Sequence, residues 1–152
     1  MKKIILVVFA IAIFSNINAQ DIKETDVPEA VKTAFYASYP DADNVEWEIQ
    51  GAYFEGGIKV NDMVTSVLLD ANGFLVQTES QIPASDLPDG VKDYISKNLN
   101  NAQIEEAAKI TEPTGKVTYM AEVKNSEYMF DPEGKLLYNL QGDSDSGEKD
   151  SD

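Results

Sequence analysis

The stretch Val27-Pro28-Glu29-Ala30-Val31-Lys32 recurs sixty residues later as Leu87-Pro88-Asp89-Gly90-Val91-Lys92. A second stretch repeats at nearly the same offset, because Asp70-Ala71-Asn72-Gly73-Phe74-Leu75 corresponds to Asp131-Pro132-Glu133-Gly134-Lys135-Leu136. Two landmarks at nearly the same spacing indicate a duplicated structural unit. We therefore predict a single domain over residues 20–140, built from two tandem repeats at 22–80 and 81–140.

Each repeat opens with a segment that has the pattern of a helix. Pro28 and Pro88 suit the first helical turn, where a missing N–H group costs nothing. Apolar residues then fall four apart, which places them on one face of a helix. This stripe consists of Val27, Val31 and Phe35 in the first repeat and of Leu87, Val91 and Ile95 in the second.

The apolar period changes from about 3.6 to 2 after each helix, which is typical of half-buried strands. Trp47 shares its predicted face with Val45 and Ile49, which favours a core position, and Gly56-Gly57 predicts a bulge. The predicted strands are 45–49, 52–60, 63–69 and 74–78 in the first repeat and 104–111, 116–124, 127–130 and 135–140 in the second. The fold class is therefore α+β, with two tandem helix-plus-antiparallel-meander repeats forming a sheet that has its helices on one face. The other face is expected to be wet or to meet a partner.

The two ends of the chain have different patterns. Met1-Lys2-Lys3 precedes an apolar run from Ile4 to Phe14, and Ala19 closes a short polar segment. This order is typical of a secretory signal peptide over residues 1–19, cleaved after Ala19. No Cys follows the run, so we expect no lipid anchor, and we expect export to the periplasm of a Gram-negative bacterium or secretion. Residues 141–152 contain nothing apolar and are predicted to be a disordered acidic tail.

Composition excludes several classes of function. The chain has 27 acidic residues against 12 basic ones, all of them Lys, and a net charge of −15. Such a charge disfavours binding to nucleic acid or to anionic membranes. The absence of His and Cys removes the usual ligands of zinc, haem and iron–sulfur clusters and the common nucleophilic dyads. We predict no cofactor and no enzymatic activity.

These motifs, in this order, resemble the PepSY-like periplasmic proteins of Bacteroidetes, which are related in fold to β-lactamase-inhibitor-protein domains. The residues that carry the resemblance are Val27-Pro28, Val31, Tyr39-Pro40, Val45-Glu46-Trp47, Tyr53, Asp70 and Gly73, and then Leu87-Pro88, Val91, Ile104, Gly115, Tyr119, Asp131, Gly134 and Leu136-Leu137. The resemblance covers about residues 22–140. It implies an inhibitor-like module that binds a partner with the open face of its sheet, and a calcium-linked role has been suggested for some members. It supplies no catalytic residues.

Three tyrosines are the candidate partner-binding residues. Tyr53, Tyr119 and Tyr128 lie on predicted strands, and a phenol tolerates a wet sheet face. Tyr is also a common anchor of protein interfaces. We place all three on the open face and expect the acidic surroundings to attract a basic protein or peptide.

Calcium is the alternative partner. The turns at Asp70–Gly73 and Asp131–Gly134 offer oxygen ligands, although Asp and Gly at these positions also suit an ordinary turn. The tail run from Asp143 to Gly147 resembles the start of a calcium loop, but it lacks the later ligands. No metal ligands are assigned. The leading prediction is a non-enzymatic periplasmic binding or inhibitor-like module; the alternative is a calcium-responsive acidic periplasmic protein.

Overall fold

The computed structural model describes residues 20–141. The helices are α1 (Glu29–Ser38) and α2 (Asp89–Asn98). The strands are β1 (Gln20–Ile22), β2 (Glu46–Gln50), β3 (Tyr53–Val60), β4 (Met63–Asp70), β5 (Leu75–Gln81), β6 (Glu106–Thr111), β7 (Val117–Val123), β8 (Ser126–Phe130) and β9 (Leu136–Gln141). Two helices and nine strands in antiparallel meanders confirm the predicted α+β class. Within the described part, neither helix is long and apolar enough to cross a membrane.

Some predictions fall at the ends of the chain. The signal peptide and its cleavage after Ala19 lie outside the described residues, as does the tail beyond Gln141. Gln141 itself closes β9, so this strand extends one residue further than predicted. The short strand β1 has no counterpart among the predicted strands, because three residues carry no measurable periodicity.

The chain divides into two compact units. Among the described residues, the first unit contains 20–81 and 109–117, and the second contains 82–108 and 118–141. In the first unit β1 to β5 are neighbours in chain order, and in the second β7, β8 and β9 follow one another in the same way. The sequence did not predict that residues 109–117 belong to the first unit. The single-domain assignment of residues 20–140 stays a prediction.

The core of the first unit lies between α1 and one face of its strands. Val31 and Phe35 are fully buried and Val27 is 4% exposed, so the predicted stripe is confirmed. They pack in one cluster with Trp47, Val67 and the other residues of that face. Each fully buried side chain of this size stabilises the fold by about 1.5–3 kcal/mol.

The second unit repeats this arrangement with different side chains. Val91 is fully buried, Leu87 and Ile95 are 2% and 3% exposed, and all three pack with Phe130. Ala107 occupies the position sixty residues after Trp47 and fills far less space. Tyr94 packs edge-on against Phe130, with ring centroids 5.3 Å apart. The two cores therefore share a pattern of apolar positions and differ in where the aromatic rings lie.

The predicted bulge at Gly56-Gly57 is wrong. The pairing of β3 with β2 and with β4 continues through both glycines without a shift. Gly56 instead leaves room for two aromatic rings, because a Cβ there would come within 2.7 Å of the Phe35 ring and 3.0 Å of the Trp47 ring. A side chain at this position would displace two aromatic rings of the core.

The actual irregularities precede the two Asp-x-x-Gly turns. The pairing shifts between Leu68 and Leu69 in the first unit and between Met129 and Phe130 in the second. Each turn then packs against the start of the helix of its own unit. In the second unit a Cβ on Gly134 would collide with the backbone of Gly90, and a Cβ on Gly90 would collide with the turn. Both positions therefore require glycine for close approach.

Candidate functional site: two rows of carboxylates

Three carboxylates form a row across neighbouring strands of the first unit. Asp21 on β1 lies opposite Glu48 on β2, and Glu48 lies opposite Glu55 on β3. Successive side chains of a strand alternate between faces, and Trp47 points towards α1. The three acids therefore share the face opposite α1. Glu46 lies on the same face, two residues before Glu48. We call these four residues the first acidic row.

The members of the first acidic row differ in how far they are buried. Asp21 and Glu46 are exposed, whereas Glu48 and Glu55 are only 7% and 4% exposed. Gln50 donates a hydrogen bond from Nε2 to Oε2 of Glu55, and Ser66 also bonds to this carboxylate. Oε2 of Glu48 is buried and has no hydrogen-bond partner among the described residues.

Three acidic neighbours act on the carboxyl group of Glu48. Burial, followed by the charges of Glu55, Asp21 and Glu46, raises the pKa of Glu48 to about 7. Burial also raises the pKa of Glu55, although the hydrogen bonds from Ser66 and Gln50 act in the opposite direction. Like charges on facing strand positions destabilise a sheet. The first acidic row therefore brings together carboxyl groups that repel one another when they are ionised.

The second unit has a row of its own. Glu122 on β7 lies opposite Glu127 on β8, and Glu106 on β6 shares their face. We call these three residues the second acidic row. Burial, then the charges of Glu122 and Glu106, raises the pKa of Glu127 to about 7. Burial and a neighbouring carboxylate also raise the pKa values of Glu106 and Glu122.

The three candidate tyrosines do not all lie on the strand face opposite the helices. Tyr53 lies opposite Gln50 and is half-buried, on the face of the first acidic row. Tyr119 and Tyr128 lie on the opposite face from the one predicted, because they pack against the α2 core cluster. Tyr119 pairs with Phe130, and Tyr128 pairs with Ala121. Their rings cover core residues, so the open-face placement is wrong for both.

The face opposite the helices is expected to be wet or to meet a partner, and at one place in the second unit it is not wet. Met120 and Met129 are cross-strand partners on that face, and each is 1% exposed. In β7 the apolar side chains Met120 and Ala121 point to opposite faces, so this strand is apolar on both sides. In the first unit the corresponding face is mostly polar, although Leu68 is 2% exposed.

In the two turns considered for calcium, the Asp carboxylates accept hydrogen bonds from the backbone of their own turn. Asp70 accepts hydrogen bonds at Oδ1 from the N–H groups of Asn72 and Phe74, at 2.8 and 3.0 Å. Asp131 accepts equivalent bonds from Glu133 and Lys135, at 3.1 and 2.8 Å. The bond from Phe74 is the main reason that the pKa of Asp70 is lowered. Within residues 20–141, no group of three acidic side chains is arranged to hold a metal ion.

The family model described as "Putative beta-lactamase-inhibitor-like, PepSY-like" matches residues 13–77 and again residues 65–138. These matches together cover more than half of the chain, so the chain belongs to this PepSY-like family. The resemblance stated from the sequence motifs is confirmed. No curated protein matches this sequence.

Solved structures from Bacteroides species share the fold. A protein of Bacteroides eggerthii described as "putative periplasmic proteins" is 18% identical over 75% of this chain and 88% of its own, with a TM-score of 0.68. A DUF2874 family protein of Bacteroides ovatus is 21% identical over 74% and 86%, with a TM-score of 0.66. A BLIP-like protein of Bacteroides fragilis is 23% identical over 77% and 90%, with a TM-score of 0.59. At these identities the similarity shows the fold alone.

Proposed function

We propose that the chain is a non-enzymatic binding module of the inhibitor-like type, which binds a basic protein or peptide through the first acidic row. The observation that carries this proposal is that Glu48 and Glu55, two buried carboxyl groups, face each other across β2 and β3. A basic side chain at this face would remove repulsion that the isolated chain retains. Such a positive charge would also favour the ionised form of both carboxyl groups.

The exposed members of the row would make the direct contacts. Asp21 and Glu46 are accessible to a partner. When ionised, the buried pair Glu48 and Glu55 would add to the negative electrostatic potential at this surface. Tyr53 lies beside Glu55 on the same face, so its ring offers an apolar surface for the stem of a Lys or Arg side chain. Tyr53 remains the one candidate tyrosine on this face.

The family and its relatives support an inhibitor-like role in the periplasm. The matching family model is described as inhibitor-like, and the Bacteroides eggerthii relative is described as periplasmic. The signal-peptide pattern of residues 1–19 agrees with export. The high net negative charge would also raise the rate at which a basic partner is captured.

Binding of a lysine-rich peptide to the chain from Gln20 to Asp152 tests the proposal. The variant Asp21→Asn/Glu48→Gln/Glu55→Gln removes three ionisable carboxyl groups of the row. The control variant Glu29→Gln/Asp93→Asn/Glu133→Gln removes three exposed charges elsewhere.

We expect the row variant to lose about tenfold in affinity, and the control variant to lose about twofold. Equal losses would show a general charge effect and contradict a specific site. Calcium that abolishes peptide binding in the wild type alone would point instead to the calcium-responsive alternative.

A further inference from the structure

A cleft of about 410 Å³ lies in the first unit, at the end of α1. One wall is the segment from Ser38 to Asp43 that follows the helix, and the other is the β3 end from Ile58 to Asn61. Ile58 and Val60 alternate with the acidic-row face of β3, so this cleft lies on the other side of the strand from Glu55. It is a separate site from the first acidic row.

The floor of the cleft is apolar. Ile58 is 7% exposed and belongs to the α1 core cluster, against which Tyr39 and Ala42 also pack. Val60 also lines the cleft and is 42% exposed, so its side chain is accessible to a ligand. The cleft therefore offers an apolar contact surface for an aliphatic chain.

The rim of the cleft is negative. Asp41 and Asp43 line it and are exposed. Lys59 also lines it, but its Nζ lies 3.6 Å from Oδ1 of Asp62, which is not part of the lining. The positive charge of Lys59 is thus partly neutralised from outside, and the two aspartates dominate.

The end of α1 adds to this negative potential. The carbonyl end of a helix carries a partial negative charge that a basic residue in the last turn usually compensates. The last turn of α2 contains Lys97, whereas the last turn of α1 contains no basic residue. The helix end that borders the cleft is therefore the one without a cation of its own.

We propose that this cleft binds an alkylammonium group, with its aliphatic stem on Ile58 and Val60 and its ammonium head between Asp41 and Asp43. A lysine side chain of a peptide and a free alkylamine share this chemistry. The first acidic row attracts positive charge in general; the cleft selects a positive charge that follows an apolar stem.

The matched probes are Nα-acetyl-lysine N-methylamide and Nα-acetyl-norleucine N-methylamide, which differ in the ammonium group. Amide chemical shifts of the chain from Gln20 to Asp152 report where each probe binds. We expect the lysine probe to shift residues 38–43 and 58–61, and to bind about fivefold more tightly than the norleucine probe. Equal affinities, or shifts centred on other residues, would overturn the proposal.

The variant Asp41→Asn/Asp43→Asn should reduce the affinity for the lysine probe to the affinity for the norleucine probe. The control Asp93→Asn/Glu133→Gln changes the net charge equally at exposed positions of the second unit and should leave the affinity unchanged. A loss of affinity in the control as large as in the cleft variant would contradict the site. Binding of hexylamine shows whether the ammonium group comes from a free amine or from a peptide. Hexylamine that binds as tightly as the lysine probe supports a free amine, and weaker binding supports a peptide lysine.

Discussion

Glu48 and Glu55 lie directly opposite each other on β2 and β3, on the face of the first unit that points away from α1. Both carboxyl groups are buried, and Asp21 adds a third acid on the other side of Glu48. Burial, followed by the charges of Glu55, Asp21 and Glu46, makes Glu48 hold its proton more tightly than a free side chain does. The stability of the fold should therefore depend on pH in a definite direction.

The first prediction concerns that pH dependence. The ordinary pKa of Glu48 is 4.5, and folding raises it to about 7. Because the folded chain binds this proton more tightly than the unfolded chain does, protonated Glu48 contributes to the free energy of unfolding. This contribution is fully present below about pH 4.5 and is lost as the pH rises through about 7. Glu127 acts in the same direction. Glu48→Gln should raise the free energy of unfolding at pH 8 by about 1 kcal/mol, after allowance for solvent screening, and should leave it nearly unchanged at pH 4.

Chemical denaturation at pH 4, 6 and 8 measures this effect. Glu133→Gln is the control, since Glu133 is exposed in a turn of the second unit. A Glu48→Gln variant that is less stable than the wild type at pH 8 would show that the ionised carboxylate stabilises the fold. That result would contradict the raised pKa of Glu48.

The second prediction concerns Trp47. Its ring packs edge-on against Phe35, with centroids 5.0 Å apart, and Trp47 is 3% exposed. Trp47→Ala should therefore cost about 3–5 kcal/mol through the cavity that it leaves. The free energy of unfolding from urea denaturation measures the loss. A cost below about 1 kcal/mol would mean that the ring does not fill the core.

The third prediction concerns Gly56. Gly56→Ala should destabilise the chain by about 1–3 kcal/mol, because the new methyl group would collide with the Phe35 ring. Phe35→Leu shortens the colliding side chain, so Gly56→Ala should cost clearly less in a Phe35→Leu background. Urea denaturation of the two single variants and the double variant measures the coupling. Additive costs in the double variant would show that the two positions do not interact.

The fourth prediction separates the tyrosines. Tyr119 and Tyr128 pack against the α2 core, so Ala at either position should cost about 2 kcal/mol. Tyr53 faces the acidic row, and Tyr53→Ala should cost about 0.5 kcal/mol or less while weakening the binding of a basic peptide. Thermal unfolding and peptide titration of the three variants distinguish the roles. The reverse order of stabilities would restore Tyr119 and Tyr128 as surface residues.

The sequence predicts the helices well because each stripe has one period and one apolar face. Val27, Val31 and Phe35 are buried as expected, and their counterparts in the second repeat are as well. The strand faces are harder to predict. Met120 and Ala121 are both buried although they point to opposite sides, so alternation in β7 does not distinguish the two faces.

The acidic rows depend on register, which a single sequence does not determine. The alternation of Glu46, Trp47 and Glu48 indicates that the acids of β2 point away from the core. The facing positions of Asp21 and Glu55 follow only from the pairing of β1 and β3 with β2.

Gly56 shows a second limit of sequence reasoning. Glycine within a strand either marks a bulge or allows another group to approach the backbone closely, and the sequence pattern is the same in both cases. The close approach of the Phe35 ring to Gly56 is a tertiary contact between α1 and β3, so only the folded structure distinguishes the two roles.

The most direct test of binding at the first acidic row is an NMR titration of the Glu48 side-chain carboxyl carbon, without and with a saturating lysine-rich peptide. We predict a pKa of about 7 for the free chain. We also predict that this pKa is clearly lower in the complex, because a positive charge favours the ionised carboxylate. A pKa near the ordinary value in the free chain, or one that the bound peptide leaves unchanged, would contradict the claim that the first acidic row binds a basic partner.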